Sequence, residues 1–255
     1  MFIAHRHQQI LDYVAPRKSV SVGELHDALR ISMSTLRRDV QLLDDQGLLR
    51  RIHGGVMLVE DRPTRPGPPA SPRSIDNSEA KRRIGESAAA LVADGDTVIV
   101  TGGTTTAAMI PFLAAKTDLT VITNALDIAY RLADYPRIAL VILGGWLEHN
   151  ERFMLGHLTE QALQDLHAAR IFHGVHGLDA DRGLSGISLQ AVQTDRRIIA
   201  HARELVILAD GSKFGRIAPV RMAPIGAAST VVTDADAPEA MVQALRAQGI
   251  TVVQA

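Results

Sequence analysis

Residues 32–55 read SMSTLRRDVQLLDDQGLLRRIHGG, and the alternation of apolar and basic positions in this stretch decides how the chain is read. Ser32 is placed to cap a helix. Leu36, Val40 and Leu43 recur at helical spacing and form one buried stripe. Arg37, Arg38 and Gln41 are left for the other faces. Arg50, Arg51 and His53 then lead into Gly54-Gly55, where a glycine pair permits the positive φ of a tight hairpin. A basic helix followed by a basic hairpin is the layout of a winged helix that reads DNA.

The preceding residues supply the supporting helices. Ile3, Ile10, Leu11 and Val14 share one helical face, which ends at Ala15-Pro16 because the residue before a proline disfavours the helical region. Ser21-Val22-Gly23-Glu24 has the form of a capping box and opens a short helix through Leu25, Ala28 and Leu29. Only Arg30-Ile31 separates that helix from Ser32, so the two form a helix-turn-helix whose second member enters the major groove. The residues expected on DNA are Ser34, Thr35, Arg37, Arg38 and Gln41 from the helix, and Arg51, His53 and Gly54 from the wing. The plainer reading is a small helical interaction module whose arginines form a solvated face.

The segment resembles the N-terminal domain of the DeoR family of bacterial repressors. The family's Thr-Ile-Arg-Arg-Asp-Leu appears as Thr35-Leu36-Arg37-Arg38-Asp39-Val40, and its Arg-x-His-Gly-Gly wing as Arg51-Ile52-His53-Gly54-Gly55.

The bulk composition is compatible with this. At 255 residues and 46% hydrophobic content the chain is long enough for two domains with cores. The absence of cysteine excludes disulfides and thiol chemistry. No apolar run approaches the ~18 residues of a membrane span, and the N-terminus lacks the apolar core of a signal peptide, so a cytoplasmic protein without membrane contact is expected. Residues 1–66 carry 10 Lys/Arg against 8 Asp/Glu, net +2, and the remainder carries 17 against 20, net −3. So small a difference neither supports nor excludes nucleic acid; the position of the arginines has to carry that argument.

Six prolines and glycines between Asp61 and Ser74 (Pro63, Pro66, Gly67, Pro68, Pro69, Pro72) mark a semi-rigid linker. The expected domains are therefore a winged helix at 1–60, a linker at 61–73 and a second domain at 74–255. In the second domain apolar strands alternate with helices: Thr97–Val100, Leu119–Thr123, Ile138–Leu143, Ile171–Val175, Leu205–Ala209 and Thr230–Thr233. That pattern predicts an α/β fold with a parallel sheet covered on both faces, and ligands of such sheets sit at the carboxyl ends of the strands.

Three of those ends carry suggestive chemistry. Thr101-Gly102-Gly103-Thr104-Thr105-Thr106 offers glycines, backbone donors and hydroxyls to an anion, although Thr is also an ordinary N-cap; Pro111 should kink or shorten the helix that follows. Asp210-Gly211-Ser212-Lys213-Phe214-Gly215 offers a cation for a phosphate and a carboxylate for sugar hydroxyls, or equally a plain turn. Gly177-Leu178-Asp179 and Gly183-Leu184-Ser185 read mostly as turn chemistry. No Walker loop or Gly-x-Gly-x-x-Gly fingerprint is present, and no cofactor is expected.

Here too the chain resembles the DeoR family, whose effector domain is similar to ribose-5-phosphate isomerase and senses a phosphorylated sugar or sugar-alcohol. Lys81, Gly103-Thr104-Thr105-Thr106, Thr123-Asn124, Gly144-Gly145, Gly156, Gly177-Leu178-Asp179 and Asp210 to Gly215 fall in the family's order. The resemblance implies an effector site at Lys81, Gly103, Thr104, Thr105, Thr106, Thr123, Asn124, Asp179, Asp210 and Lys213. The chain departs from the family at Thr101 and His176, where acidic residues are frequent, and at Asp195, where a lysine is common. The fold reading survives these departures; the identity and the class of the effector stay open.

The resemblance implies a repressor of a carbohydrate operon, acting on double-stranded operator DNA as a homo-oligomer, a dimer or tetramer. The enzymatic alternative assembles Asp179, Asp210, Lys213 and His176 into a sugar-phosphate isomerase site. A fused DNA reader favours sensing over turnover, so no catalytic residues are expected, and a shared fold does not carry function. No metal is expected either: His173 and His176 are three apart near a strand end and do not share a face, and no carboxylate or cysteine completes a ligand set. Trp146 is read as a core aromatic, with a pocket-lining place as the alternative.

Overall fold

The computed structural model describes residues 3–14, 17, 19–45, 49–52, 55–58 and 77–255, and the chain divides into two compact units, Met1–Pro66 and Gly67–Ala255. His53, Gly54, the Ala15-Pro16 helix end and the proposed linker 61–73 lie outside the described residues.

In the first unit α1 (Ile3–Val14) is followed by β1 (Ser19–Ser21), α2 (Val22–Leu29), α3 (Met33–Asp45), β2 (Leu49–Ile52) and β3 (Gly55–Leu58). Ile10, Val14, Leu25, Leu36, Val40, Leu43, Leu49 and Val56 form its core. The amphipathic stripe read from 36, 40 and 43 is thus the face that α3 buries. Ser21 Oγ accepts the Glu24 amide at 3.1 Å, and Ser32 Oγ accepts the Thr35 amide at 3.3 Å. Between the helices Arg30 takes a left-handed conformation (φ 53°), a turn made without glycine. The strands form one antiparallel sheet in the order β1-β3-β2.

The hairpin is present, but Gly55 does not serve its turn. Gly55 is in β3, paired with Ile52 on one side and Ser21 on the other. A Cβ there would lie 2.6 Å from the Val20 carbonyl oxygen. Its missing side chain lets β1 approach β3, and β1 was not legible because three residues are too few for a period to register.

The second unit is built on a seven-stranded parallel sheet. Its strands are β4 (Thr97–Val100), β5 (Thr120–Thr123), β6 (Ala139–Ile142), β9 (Ala168–Gly174), β12 (Ala202–Leu208), β14 (Thr230–Thr233) and β15 (Thr251–Gln254), in the order β15-β14-β12-β9-β4-β5-β6. The six expected strands are all there, and β15 extends the sheet. Alternate residues feed two cores, so Ile171 of β9 packs to one side and Phe172 to the other. The Ile171 side is covered by α9 (Leu189–Ile199) and α10 (Glu239–Ala247), through Val192, Ile198, Val242 and Leu245. The Phe172 side is covered by α4 (Ser78–Ala90), α5 (Thr104–Ala107), α6 (Ile110–Leu113) and α7 (Leu126–Leu132). Pro111 lies in the first turn of α6, which is why two four-residue helices replace one longer helix.

A small antiparallel pair, β7 (Trp146–Glu148) and β8 (Phe153–Leu155), precedes α8 (His157–Ala162). A three-stranded antiparallel sheet holds β10 (Gly177–Asp179), β11 (Gly183–Gly186) and β13 (Val220–Ala223). Trp146 is 62% exposed and is not a core residue, because a three-residue strand outside the main sheet has no layer above it.

Gly55→Val should weaken the β1–β3 pairing and cost about 1–3 kcal/mol, the usual penalty for overpacking. Urea denaturation followed by tryptophan-independent circular dichroism would measure it; an unchanged midpoint would mean that β1 can move away freely.

Candidate functional site

On the first unit most of the described residues expected on DNA reach solvent. Ser34, Arg37, Arg38 and Gln41 are exposed and Thr35 is half-buried, as the outward face of α3 requires. Arg37 and Arg51 line a cleft of about 400 Å³ between α3, the start of α2 and the hairpin, together with Gly23, Met33 and Ile52. Arg51 is not an independent finger: its guanidinium donates to Gln41 Oε1 and its amide to Asp44 Oδ1 at 3.4 Å. Hairpin and helix are therefore joined through side chains that the sequence leads one to expect on DNA. Side-chain hydrogen bonds of this kind lower the cost of ordering an arginine on binding.

On the second unit, chain order runs from β4 outward through β5 to β6, then returns to the other side of β4 for β9 and continues through β12, β14 and β15. The reversal between β4 and β9 is a topological switch point, where the flanking connections diverge and leave a crevice at the carboxyl ends. Gly102-Gly103 leaves β4 there, Thr123-Asn124 leaves β5, Gly174 ends β9, and Asp210 follows β12. A Cβ on Gly174 would stand 3.8 Å from the Gly102 carbonyl oxygen, so the two chains nearly touch at the crevice floor. Lys81, 7% exposed, is in the first turn of α4. The opposite end of α4 feeds the amino end of β4, which places Lys81 toward the carboxyl side of the sheet.

The candidate side chains differ in what they have left to offer. Asn124 is 1% exposed; its amide nitrogen donates to Met154 O at 3.2 Å while its Oδ1 has no hydrogen-bond partner among the described residues. Thr104 is half-buried and Thr105 is buried. Thr106 is fully buried and donates its hydroxyl to Gly103 O at 2.9 Å, and Thr123 Oγ1 accepts the Ala125 amide at 3.1 Å, so both serve the local fold. Asp210, 1% exposed, caps the short 3-10 turn Gly211–Lys213 by accepting the Ser212 amide at 3.0 Å, and Lys213 follows half-buried. Gly103 keeps a positive φ of 143°. Gly102 has a different reason to lack a side chain: its Cβ would fall 1.8 Å from the Phe153 ring, which presses on the loop.

Asp179 is committed to its own turn, although Leu178 beside it pairs with Phe214 and its carbonyl accepts the Gly215 amide at 2.8 Å. Asp179 Oδ1 accepts the Asp181 and Arg182 amides at 3.0 and 2.8 Å, capping the β10–β11 turn. The neighbouring Ala180 carbonyl accepts from Gln248, which precedes β15 and so belongs to the amino side of the sheet. A Gly-Leu-Asp motif cannot reveal from spacing alone which way its hairpin runs.

One polar pair beside the crevice had no sequence signal. His173 of β9 is 3% exposed, with Nδ1 2.5 Å from Gly174 O and Nε2 3.4 Å from Asp195 Oδ1 of α9. Nδ1 bonds to the Gly174 carbonyl, while Nε2 faces the Asp195 carboxylate at ion-pair distance without a hydrogen bond. Burial opposes that charge, but the Asp195 carboxylate and the Gly174 carbonyl outweigh it, and the His173 pKa lies above the ordinary histidine value.

A DNA-reading winged helix and a parallel sheet with a polar crevice at its switch point together define a ligand-responsive DNA-binding regulator. The chain belongs to the DeoR family: the family's DeoR-like helix-turn-helix domain matches residues 6–62, and its DeoR C terminal sensor domain matches residues 76–235. It is 32% identical over 92% of its length, and 93% of the relative's, to the uncharacterized HTH-type transcriptional regulator FruR of Bacillus subtilis. It is 31% identical to the glycerol-3-phosphate regulon repressor of Escherichia coli, covering 94% of each chain. Among solved structures, ribose 5 phosphate isomerase A from Neisseria gonorrhoeae matches 54% of each chain at 16% identity and a TM-score of 0.39.

The raised His173 pKa has a defined consequence for stability. The contribution of the pair is complete below the ordinary histidine pKa and is lost as pH rises through the raised folded value. Asp195→Asn should remove this pH dependence. Denaturation midpoints between pH 6 and 9, with the His173 ring signals followed by NMR, would check it; identical pH profiles for the two proteins would contradict an imidazolium here.

Proposed function

We propose that this chain is a repressor of a carbohydrate-metabolism operon, bound to double-stranded operator DNA and released when a phosphorylated sugar or sugar-alcohol fills the crevice between β4 and β9. In this reading residues 1–60 are the DNA-binding domain, 61–73 a linker and 74–255 the effector domain. The observation that carries it is the unpartnered, buried Asn124 Oδ1 at a switch point that also holds the Gly103-Thr104 turn, Asp210 and Lys213. A hydroxyl-bearing ligand satisfies an orphaned acceptor that otherwise costs about 1–3 kcal/mol. Lys213 and Lys81 suit a phosphate, and backbone donors in the glycine turn suit the same group.

The name of the Escherichia coli relative supports a small phosphorylated polyol as the ligand class. Thr101, His176 and Asp195 give this crevice its own charge pattern; His176 Nε2 lies 3.8 Å from Glu151. The effector is therefore specified here by class. The protein acts without catalysing a reaction, in the cytoplasm, as a homo-oligomer that pairs its winged helices on repeated half-sites. No helix among the described residues is long and apolar enough to cross a membrane. Release requires the effector to bind the free conformation more tightly than the DNA-bound one; a typical coupling of ~1–3 kcal/mol acts equally in both directions.

Arg37→Ala and Arg38→Ala should each cost about 1–3 kcal/mol of operator affinity where a base contact is lost, and should flatten the salt dependence where a phosphate contact is lost. A gel-shift titration checks this, and unchanged affinity for both variants would remove α3 from the interface.

Lys213→Ala should abolish the response to sugar phosphates while leaving DNA affinity near that of the wild type. A DNA titration with and without a panel of pentose, hexose and triose phosphates tests the site. A mutant that still responds would make Lys213 an ordinary surface lysine, and turnover of any panel member would favour an isomerase-like enzyme instead.

A further inference from the structure

The arginine pair on α3 is followed by an acidic residue, Asp39, to which DNA contact assigns no role. It is 2% exposed, on the buried stripe of the helix beside Leu36, Val40 and Leu43. Its carboxylate receives both ends of the Arg6 guanidinium, Nε at 2.5 Å and Nη2 at 2.9 Å, and His7 Nε2 lies 3.2 Å from the same carboxylate. Arg6 and His7 both belong to α1 and have side-chain exposures of 17% and 15%. The guanidinium holds the Asp39 carboxyl below its ordinary range, so the group is a carboxylate at neutral pH.

We propose that Asp39 is a positioning residue for DNA recognition: it locks the rotation of the recognition helix against α1 through Arg6, and thereby sets where Arg37 and Arg38 point. This rests on the DNA-binding reading above. Apolar contacts alone tolerate small rotations, because they are non-directional. A bidentate guanidinium–carboxylate pair has one geometry, and specifying an arrangement is the best-attested use of buried charges. Rotation of α3 by about 20° would carry a side-chain head at a radius of about 6 Å through about 2 Å. That displacement is enough to break a hydrogen bond to a base edge.

The sign of the effect separates positioning from plain electrostatics. Asp39→Asn removes a negative charge from a DNA-binding unit, which by long-range attraction alone should tighten DNA binding. Positioning requires the opposite, a loss of about tenfold or more. The loss should also depend on the arginines: in an Arg37→Ala/Arg38→Ala background, Asp39→Asn should change affinity by less than about twofold, because coupled residues give non-additive effects.

The experiment measures binding of the full-length chain to a duplex recovered by the wild type from a randomised pool, at a temperature where circular dichroism shows each variant folded. Arg6→Lys, which keeps the charge and loses the bidentate geometry, is measured alongside and decides the matter where the Asn variant fails to fold. Weakened binding by the folded variants, largely lost in the double-arginine background, supports the assignment. Wild-type or tighter binding by Asp39→Asn and Arg6→Lys overturns it. A loss fully retained in the double-arginine background also overturns it, since the carboxylate would then act only on the stability of the unit. Recovery of no duplex by the wild type would instead sink the DNA-binding reading and this inference with it.

Discussion

The reversal of strand order between β4 and β9 is the constraint on which the effector unit depends. A parallel sheet needs a crossover between successive strands, and those crossovers are right-handed. Growth to one side of β4 therefore places its helices on one face, and growth to the other side places them on the opposite face. The two groups part at the reversal, and there the carboxyl ends are left uncovered. Residues as distant in sequence as Asn124 and Asp210 lie at the same end of one sheet because β5, β4, β9 and β12 are consecutive in it.

Glycine has two different uses around this floor. Gly103 supplies a backbone conformation that side chains rarely adopt, while Gly102 supplies room for the Phe153 ring. Phe153 comes from the small β7–β8 pair, so the loop that faces the crevice is packed by an element outside the main sheet. A glycine-rich loop read as open to a ligand is in this case also a packing surface. The same distinction holds for Gly55 in the winged helix, which admits the Val20 carbonyl of a neighbouring strand.

Both units place charge in their interiors. Asp39 with Arg6 and His7 ties α3 to α1, and His173 with Asp195 ties β9 to α9. Buried pairs add little net stability, because desolvation consumes most of the attraction. Each joins a helix to its neighbour, and the bidentate Arg6–Asp39 pair does so with one permitted geometry. The buried His173 opposite explains how the Asp195 carboxylate, itself buried, is accommodated on α9.

The winged helix was legible in the chain because its signals are local. Helix caps at Ser21 and Ser32, the period of Leu36, Val40 and Leu43, and the outward arginines all act over a few residues, and six of the seven strands of the large sheet announced themselves as short apolar runs. The strands that escaped, β1, β15 and the small antiparallel pieces, are three or four residues long and owe their form to neighbours rather than to period. For the crevice, sequence determined which loops carry glycines, hydroxyls and charges. Tertiary structure alone decided that Asp179 caps a turn, that Thr106 spends its hydroxyl on Gly103, that Asn124 keeps an oxygen unpartnered among the described residues, and that His173 meets Asp195. Those outcomes depend on which atoms converge across long stretches of chain, and residue order records composition and local period but not convergence.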